Sequence, residues 1–203
     1  MSQKSIKVEL SKETLETLKK SGYAMCFAKK VNDTYNVIWK ATNEYLQNTI
    51  FSWVPKYKVF ATNTYEDNVK VTTDTDEVTA TLGQQCTLTK EGVMEDAVTG
   101  GKDQCITIEN NYGSIHSGIS QVCRMNGKDE VTPIYVSSEA RLVGEIELEP
   151  KESVMVWFEA DVETSTIFET AKTNSQVVDL TDKDAQTISY DTSTGSWSIL
   201  AND

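Results

Sequence analysis

The chain has 203 residues and a formal net charge of −12, from 31 acidic against 19 basic side chains. That balance repels polyanions, so nucleic acid and anionic membrane surfaces are excluded as simple electrostatic partners. At this length a single domain spanning residues 1–203 is the default for an all-β sandwich or barrel, and it can bury about 70% of the surface its unfolded chain would expose. Hydrophobic residues make up only 38%, but threonine, which is not counted among them, favours strands through its branched β-carbon.

No segment approaches the ~18 consecutive apolar residues of a membrane span. The start of the chain, Met1-Ser2-Gln3-Lys4, runs into Ser5–Leu10 without the apolar core of a secretion signal. The four cysteines, Cys26, Cys86, Cys105 and Cys123, show no metal-ligand spacing. A cytoplasmic setting with buried free thiols is expected.

In chain order, Ser5–Leu10 alternates and is expected to be an edge strand, free to pair between subunits in a homo-oligomer. Ser11 is placed as an N-cap, Glu13 and Glu16 suit the first turn of a helix, Lys19 and Lys20 the last, and Gly22 the position beyond its end. Tyr23–Val31 and Thr34–Trp39 flank Asn32-Asp33 as a hairpin. Thr49–Val54 and Tyr57–Thr64 are two strands parted by Pro55 and Lys56, and Asn68–Thr73 and Val78–Leu82 are two more around the acidic turn 74–77. Thr89–Lys102 is expected to be an exposed loop. Strands resume at Gln104–Glu109, Val131–Val136, Arg141–Leu148 and Ser153–Ala160, and more weakly at Gln176–Leu180, Gln186–Tyr190 and Ser196–Leu200. About a dozen strands joined by turns and one short N-terminal helix define an all-β, antiparallel sandwich with two facing sheets.

Few residues point to chemistry. His116 is the one histidine, and no base, nucleophile and acid can be assembled around it from the sequence. The turn Asp74-Thr75-Asp76-Glu77 lacks the glycine and the final glutamate of a calcium-binding helix–loop–helix and is simplest as a solvated turn. A non-enzymatic role follows as the expectation. The densest polar and aromatic group is Asn110–Gly118, where a strand would put Tyr112, Ser114 and His116 on one face. That face lines a pocket or, more plainly, meets solvent. Trp157 lies in the most apolar run, Val154–Phe158, and is expected in the core; Trp39 and Trp53 end their strands beside polar turns and are candidates for a pocket rim.

Several stretches carry a resemblance: Glu13–Tyr23, Tyr35–Trp39, Phe51–Pro55, Asn111–His116, Pro133–Val136, Val156–Phe158 and Glu163–Thr166. Together they resemble a family of small proteins of about this length, abundant in mushroom-forming fungi. The resemblance implies a soluble intracellular carrier whose ligand is a small, non-covalently held organic pigment, as in a coloured fruiting-body chromoprotein. It supplies no binding residue. The residues themselves point to a non-catalytic pocket for a small, planar, largely apolar molecule, drawn from Trp39, Trp53, Tyr112 and His116 with Asn111 and Ser114 as hydrogen-bonding partners. The alternative is a defence protein, a lectin or membrane-active toxin, that recognises glycans or lipids through exposed Trp and Tyr.

Overall fold

The computed structural model describes residues 2–201. Its elements are β1 (Lys4–Leu10), α1 (Lys12–Lys20), β2 (Tyr23–Val31), β3 (Lys40–Thr42), β4 (Asn48–Thr62), β5 (Val78–Ala80), β6 (Gln84–Leu88), β7 (Val98–Thr99) and β8 (Ile106–Asn110), followed by β9 (His116–Met125), β10 (Lys128–Val136), β11 (Gly144–Leu148), β12 (Pro150–Ala160), β13 (Gln176–Asp179), β14 (Ala185–Asp191) and β15 (Ser196–Leu200). The fold is all-β with one short helix, as expected. A seven-stranded sheet has the order β10-β9-β4-β1-β14-β15, with β5 also paired to β4. Two four-stranded sheets, β11-β8-β6-β7 and β13-β12-β2-β3, complete the molecule. All three sheets feed one buried cluster that includes Ile6, Val8, Phe27, Phe51, Val59, Ile108, Ile119, Val156 and Ile188. The sandwich therefore has one large layer, and its other layer is divided into two small sheets.

The helix obeys its end signals. Ser11 Oγ accepts the Thr14 N–H at 3.0 Å, Ser21 closes the last turn, and Gly22 takes φ +73°.

Other expectations need correction. β1 is not an edge strand: it lies between β4 and β14, antiparallel to the first and parallel to the second. β6 and β8 form a second parallel pair, so two of the three sheets are mixed, and only β13-β12-β2-β3 is wholly antiparallel. β4 is one strand running through Pro55. It bends there, and its register against β9 shifts between Trp53 and Tyr57. Proline removes a ladder donor, so it is tolerated at such an irregularity. The exposed main chain is repaired by Gln121, whose Nε2 donates to Val54 O at 2.9 Å. Asn68–Thr73 is not a strand and contributes only the bridge of Lys70 to Thr166. The hairpin at Asn32-Asp33 closes, with Val31 and Thr34 exchanging both main-chain hydrogen bonds at 3.0 Å, but its second arm is no continuous strand and rejoins β2 only at Trp39, whose N–H donates to Phe27 O at 2.8 Å, and at Lys40–Thr42. The 89–102 segment carries β7 and buries Met94.

β2 and β12 are covered on both faces. Phe27, Val31, Val154 and Val156 enter the main cluster, while Ala24, Cys26, Ala28 and Trp157 meet Ile38 and Phe168 on the opposite side. All four cysteines are free and buried.

Candidate functional site

The six residues singled out in the sequence do not converge. Trp39 and Trp53 are core residues and form no rim. Their rings meet edge-on at 5.5 Å, both touch Phe51, and they are 0% and 2% exposed. A cavity of about 70 Å³ reaches Trp53, room for water but not for a ring-bearing molecule. His116 pairs with Thr62 on β4, whereas Trp53 pairs with Cys123. At about 3.3 Å per residue along β9, that separates them by roughly 23 Å. His116 stacks on Tyr65 at 5.8 Å, and its Nδ1 is 2.7 Å from Ser137 O.

Asn111, Tyr112 and Ser114 lie in a turn, not a strand, so they share no sheet face with His116. The Asn110 carboxamide builds that turn: its oxygen accepts the N–H groups of Tyr112 and Gly113 at 3.0 and 3.3 Å. Ser114 is exposed and Asn111 half-buried. The acidic turn is structural: Asp74 Oδ2 accepts the Asn63 N–H at 2.6 Å, which pulls its carboxyl below the usual range. Among the described residues no group of three or more His, Cys, Asp or Glu is arranged to hold a metal ion.

The candidate site lies where the interior aromatics reach the surface beside α1. A groove of about 570 Å³ is bounded by Thr17, Leu18 and Ser21 of the helix end, Tyr23, Phe158–Ala160, Thr173, Asn174, Tyr190 and Thr192. Its volume is in the range of small-molecule sites. Phe158 is the hub. It lies parallel to Trp197 at 5.6 Å and contacts Tyr190 at 5.3 Å and Tyr45 at 5.6 Å, while Tyr190 and Trp197 meet at 4.9 Å. The strand period produces this convergence. Phe158 shares the inward face of β12 with Val154 and Val156, and Tyr190 pairs with Trp197 across β14 and β15.

The rings are fixed by polar bonds at their rims. Trp197 Nε1 donates to Asn174 O at 2.9 Å, Asn174 Nδ2 donates to Tyr190 Oη at 3.0 Å, and Tyr45 Oη donates to Tyr23 O at 2.8 Å. Burial pushes the Tyr45 phenol up to about 12, so it remains a donor at neutral pH. Glu159 joins the groove to a second one of about 400 Å³ lined by Trp157, Phe168 and Lys172. Lys172 is paired with Glu159 at 2.9 Å and lies over the Phe168 and Trp157 rings, while Trp157 Nε1 donates to Glu159 at 2.7 Å. A larger groove of about 640 Å³ follows the outer face of β1, but Lys7, Glu9, Lys183 and Gln186 line it and no aromatic ring does.

Sequence reasoning missed this site because Tyr23, Phe158, Tyr190 and Trp197 come from distant segments with no shared motif. It also missed an ion pair between the neighbouring strands β2 and β12, with the lysine end fully buried. Lys29 is 0% exposed, and its Nζ meets Glu152 Oε2 at 2.9 Å and lies 4.9 Å from the Trp53 ring centre. Trp53 Nε1 donates to the same carboxylate oxygen at 2.8 Å. Burial pulls the Lys29 ammonium down to about 8, against the pull of Glu152. A lysine directly after the apolar run Ala24–Ala28 was the available signal.

Compared with known proteins, the chain matches no family profile, no curated protein and no solved structure. No relative therefore supplies a site residue, and the groove is read from its own chemistry. Among the described residues no helix is long and apolar enough to cross a membrane.

Proposed function

We infer that the chain is a non-catalytic binding protein for a small, planar, largely apolar molecule held in the groove beside α1. The carrying observation is the set of three mutually touching rings, Phe158, Tyr190 and Trp197, with Tyr45 packed on Phe158, standing behind a groove of ligand size. A flat ligand gains stacking area against Phe158 and Tyr190, with Tyr23 as a flank and Asn174, Thr192 and Glu159 fixing its orientation. A pigment of the kind implied by the likeness to the mushroom proteins has this chemistry. Four buried free thiols support a reducing, cytoplasmic setting.

The test is an absorption spectrum and a native mass spectrum of protein from its natural source. A visible or near-ultraviolet band that survives dialysis, with a matching bound mass, is expected. Tyr190→Ala and Tyr23→Ala are each expected to weaken retention of that molecule by about tenfold, the worth of one aromatic contact. A colourless protein with no bound mass overturns the reading.

A second reading has its own support. The groove rim carries Thr17, Ser21, Thr173, Asn174 and Thr192, hydroxyls and an amide suited to a sugar ring stacked on an aromatic. Binding on a glycan array that is lost in Tyr190→Ala would move the assignment to a lectin, in keeping with a defence role.

A further inference from the structure

Three connections end at one place on the molecule: residues 89–93 after β6, residues 111–115 between β8 and β9, and residues 137–143 between β10 and β11. They are tied together. The Asn111 N–H donates to Leu88 O at 2.9 Å, and Ile115 and Arg141 exchange both main-chain hydrogen bonds at 3.1 and 2.8 Å. Asn110 Nδ2 donates to Gly113 O at 2.7 Å and to Leu142 O at 3.0 Å. The Tyr112 ring lies over Gly92, where a β-carbon would stand 3.3 Å from it.

From this bonded frame project Leu142, Val143, Val93 and Tyr112, which are 74%, 65%, 55% and 45% exposed. Leu142 and Val143 are the two most exposed large hydrophobics among the described residues. Single exposed apolar side chains are ordinary, but four delivered by three loops to one end form a patch that water penalises. The three loops contain Lys90 and Arg141 against Glu91 and Glu139. The patch is thus locally neutral in a chain of net charge −12.

We propose that this loop end docks on a zwitterionic lipid surface, with Leu142, Val143 and Val93 entering the headgroup–acyl boundary and the Tyr112 ring at headgroup level. The occupant follows from shape and charge. The side chains stand on loop tips, and the grooves described above are lined by other residues. Tyrosine, with an apolar ring and a polar end, suits the interface between hydrocarbon and water. Local neutrality removes any attraction to anionic headgroups, and the charge of the whole chain opposes them. The proposal does not depend on the groove beside α1.

The test is co-sedimentation of the whole chain with phosphatidylcholine vesicles, and with vesicles containing added phosphatidylserine. The wild type is expected to sediment with phosphatidylcholine, to resist high salt, and to bind less as phosphatidylserine is added. The double variant Leu142→Ser, Val143→Ser is expected to lose at least about tenfold in apparent affinity, while Ile50→Ser, at an exposed site elsewhere, binds as the wild type. All of these positions are exposed, and circular dichroism confirms that the variants fold. Failure of the wild type to bind at millimolar lipid, equal binding by the double variant, or a requirement for phosphatidylserine overturns the proposal. So does a dimer that the double variant dissociates in the absence of lipid binding, which would make the patch an interface between copies of this chain.

Discussion

Lys29 sits in β2 between Phe27 and Val31, both in the main hydrophobic cluster. The two ends of its ion pair are unequal. The lysine side chain is 0% exposed and that of Glu152 is 25% exposed. Glu152 also keeps the Trp53 indole N–H. Removing the acid strands a desolvated ammonium, whereas removing the base leaves a carboxylate with one donor and some solvent. Glu152→Gln is therefore expected to cost about 3 kcal/mol and Lys29→Met about 1 kcal/mol or less. Urea denaturation at neutral pH measures both. Equal losses would show that the pair acts through its mutual attraction and not through the burial of the lysine.

At the scale of elements, β9 organises the large sheet, pairing with β4 and β10 along its length. Gly118 lets the Phe60 ring rest on its backbone: a β-carbon there would lie 2.2 Å from that ring. Gly118→Ala is expected to cost about 2–3 kcal/mol. Adding Phe60→Leu should recover part of it in a double-mutant cycle; purely additive losses would refute the steric account. The same residues explain why this strand was hard to read. Its inward positions include Ser117 and Gln121, and Gln121 is buried to serve the bend at Pro55. The alternation of apolar residues is broken by structure the sequence does not display. By contrast the α1 caps and the Val154–Phe158 run were legible, because those signals are local. The place of β1 was not: its partner β14 begins 175 residues after β1 ends, and parallel pairing leaves no turn signal. The site was legible only in kind. Aromatic residues were the right type, but Trp39 and Trp53 fill the core, and the groove rings come from β12, β14, β15 and the segment before β4.

For the whole molecule, the buried titratable groups define a response to alkaline pH. Lys29 holds its proton more weakly in the fold than in the unfolded chain, releasing it at about 8 against an ordinary 10.5. Between those values the unfolded state binds more protons, so this residue adds stability as pH rises. The thiols act in the opposite sense. Burial pushes Cys86 and Cys123 up to about 11 from an ordinary 9, and raises Cys26 and Cys105 as well. Above pH 9 the unfolded chain releases protons that the fold retains, and each of Cys86 and Cys123 forfeits up to about 3 kcal/mol by pH 11. The buried Tyr57 phenol, also raised by burial, adds to this loss from about pH 10. One group favours the fold and several oppose it, so the molecule is expected to be most stable near pH 8–9 and to weaken steeply beyond. Urea midpoints taken under reductant at pH 7.5, 9 and 10.5 follow the curve. Cys123→Ala separates the thiol effect from general charge repulsion in a chain already at −12, because it removes one titrating site without altering the surface. A variant that declines above pH 9 as steeply as the wild type would assign the loss to repulsion and not to buried thiols.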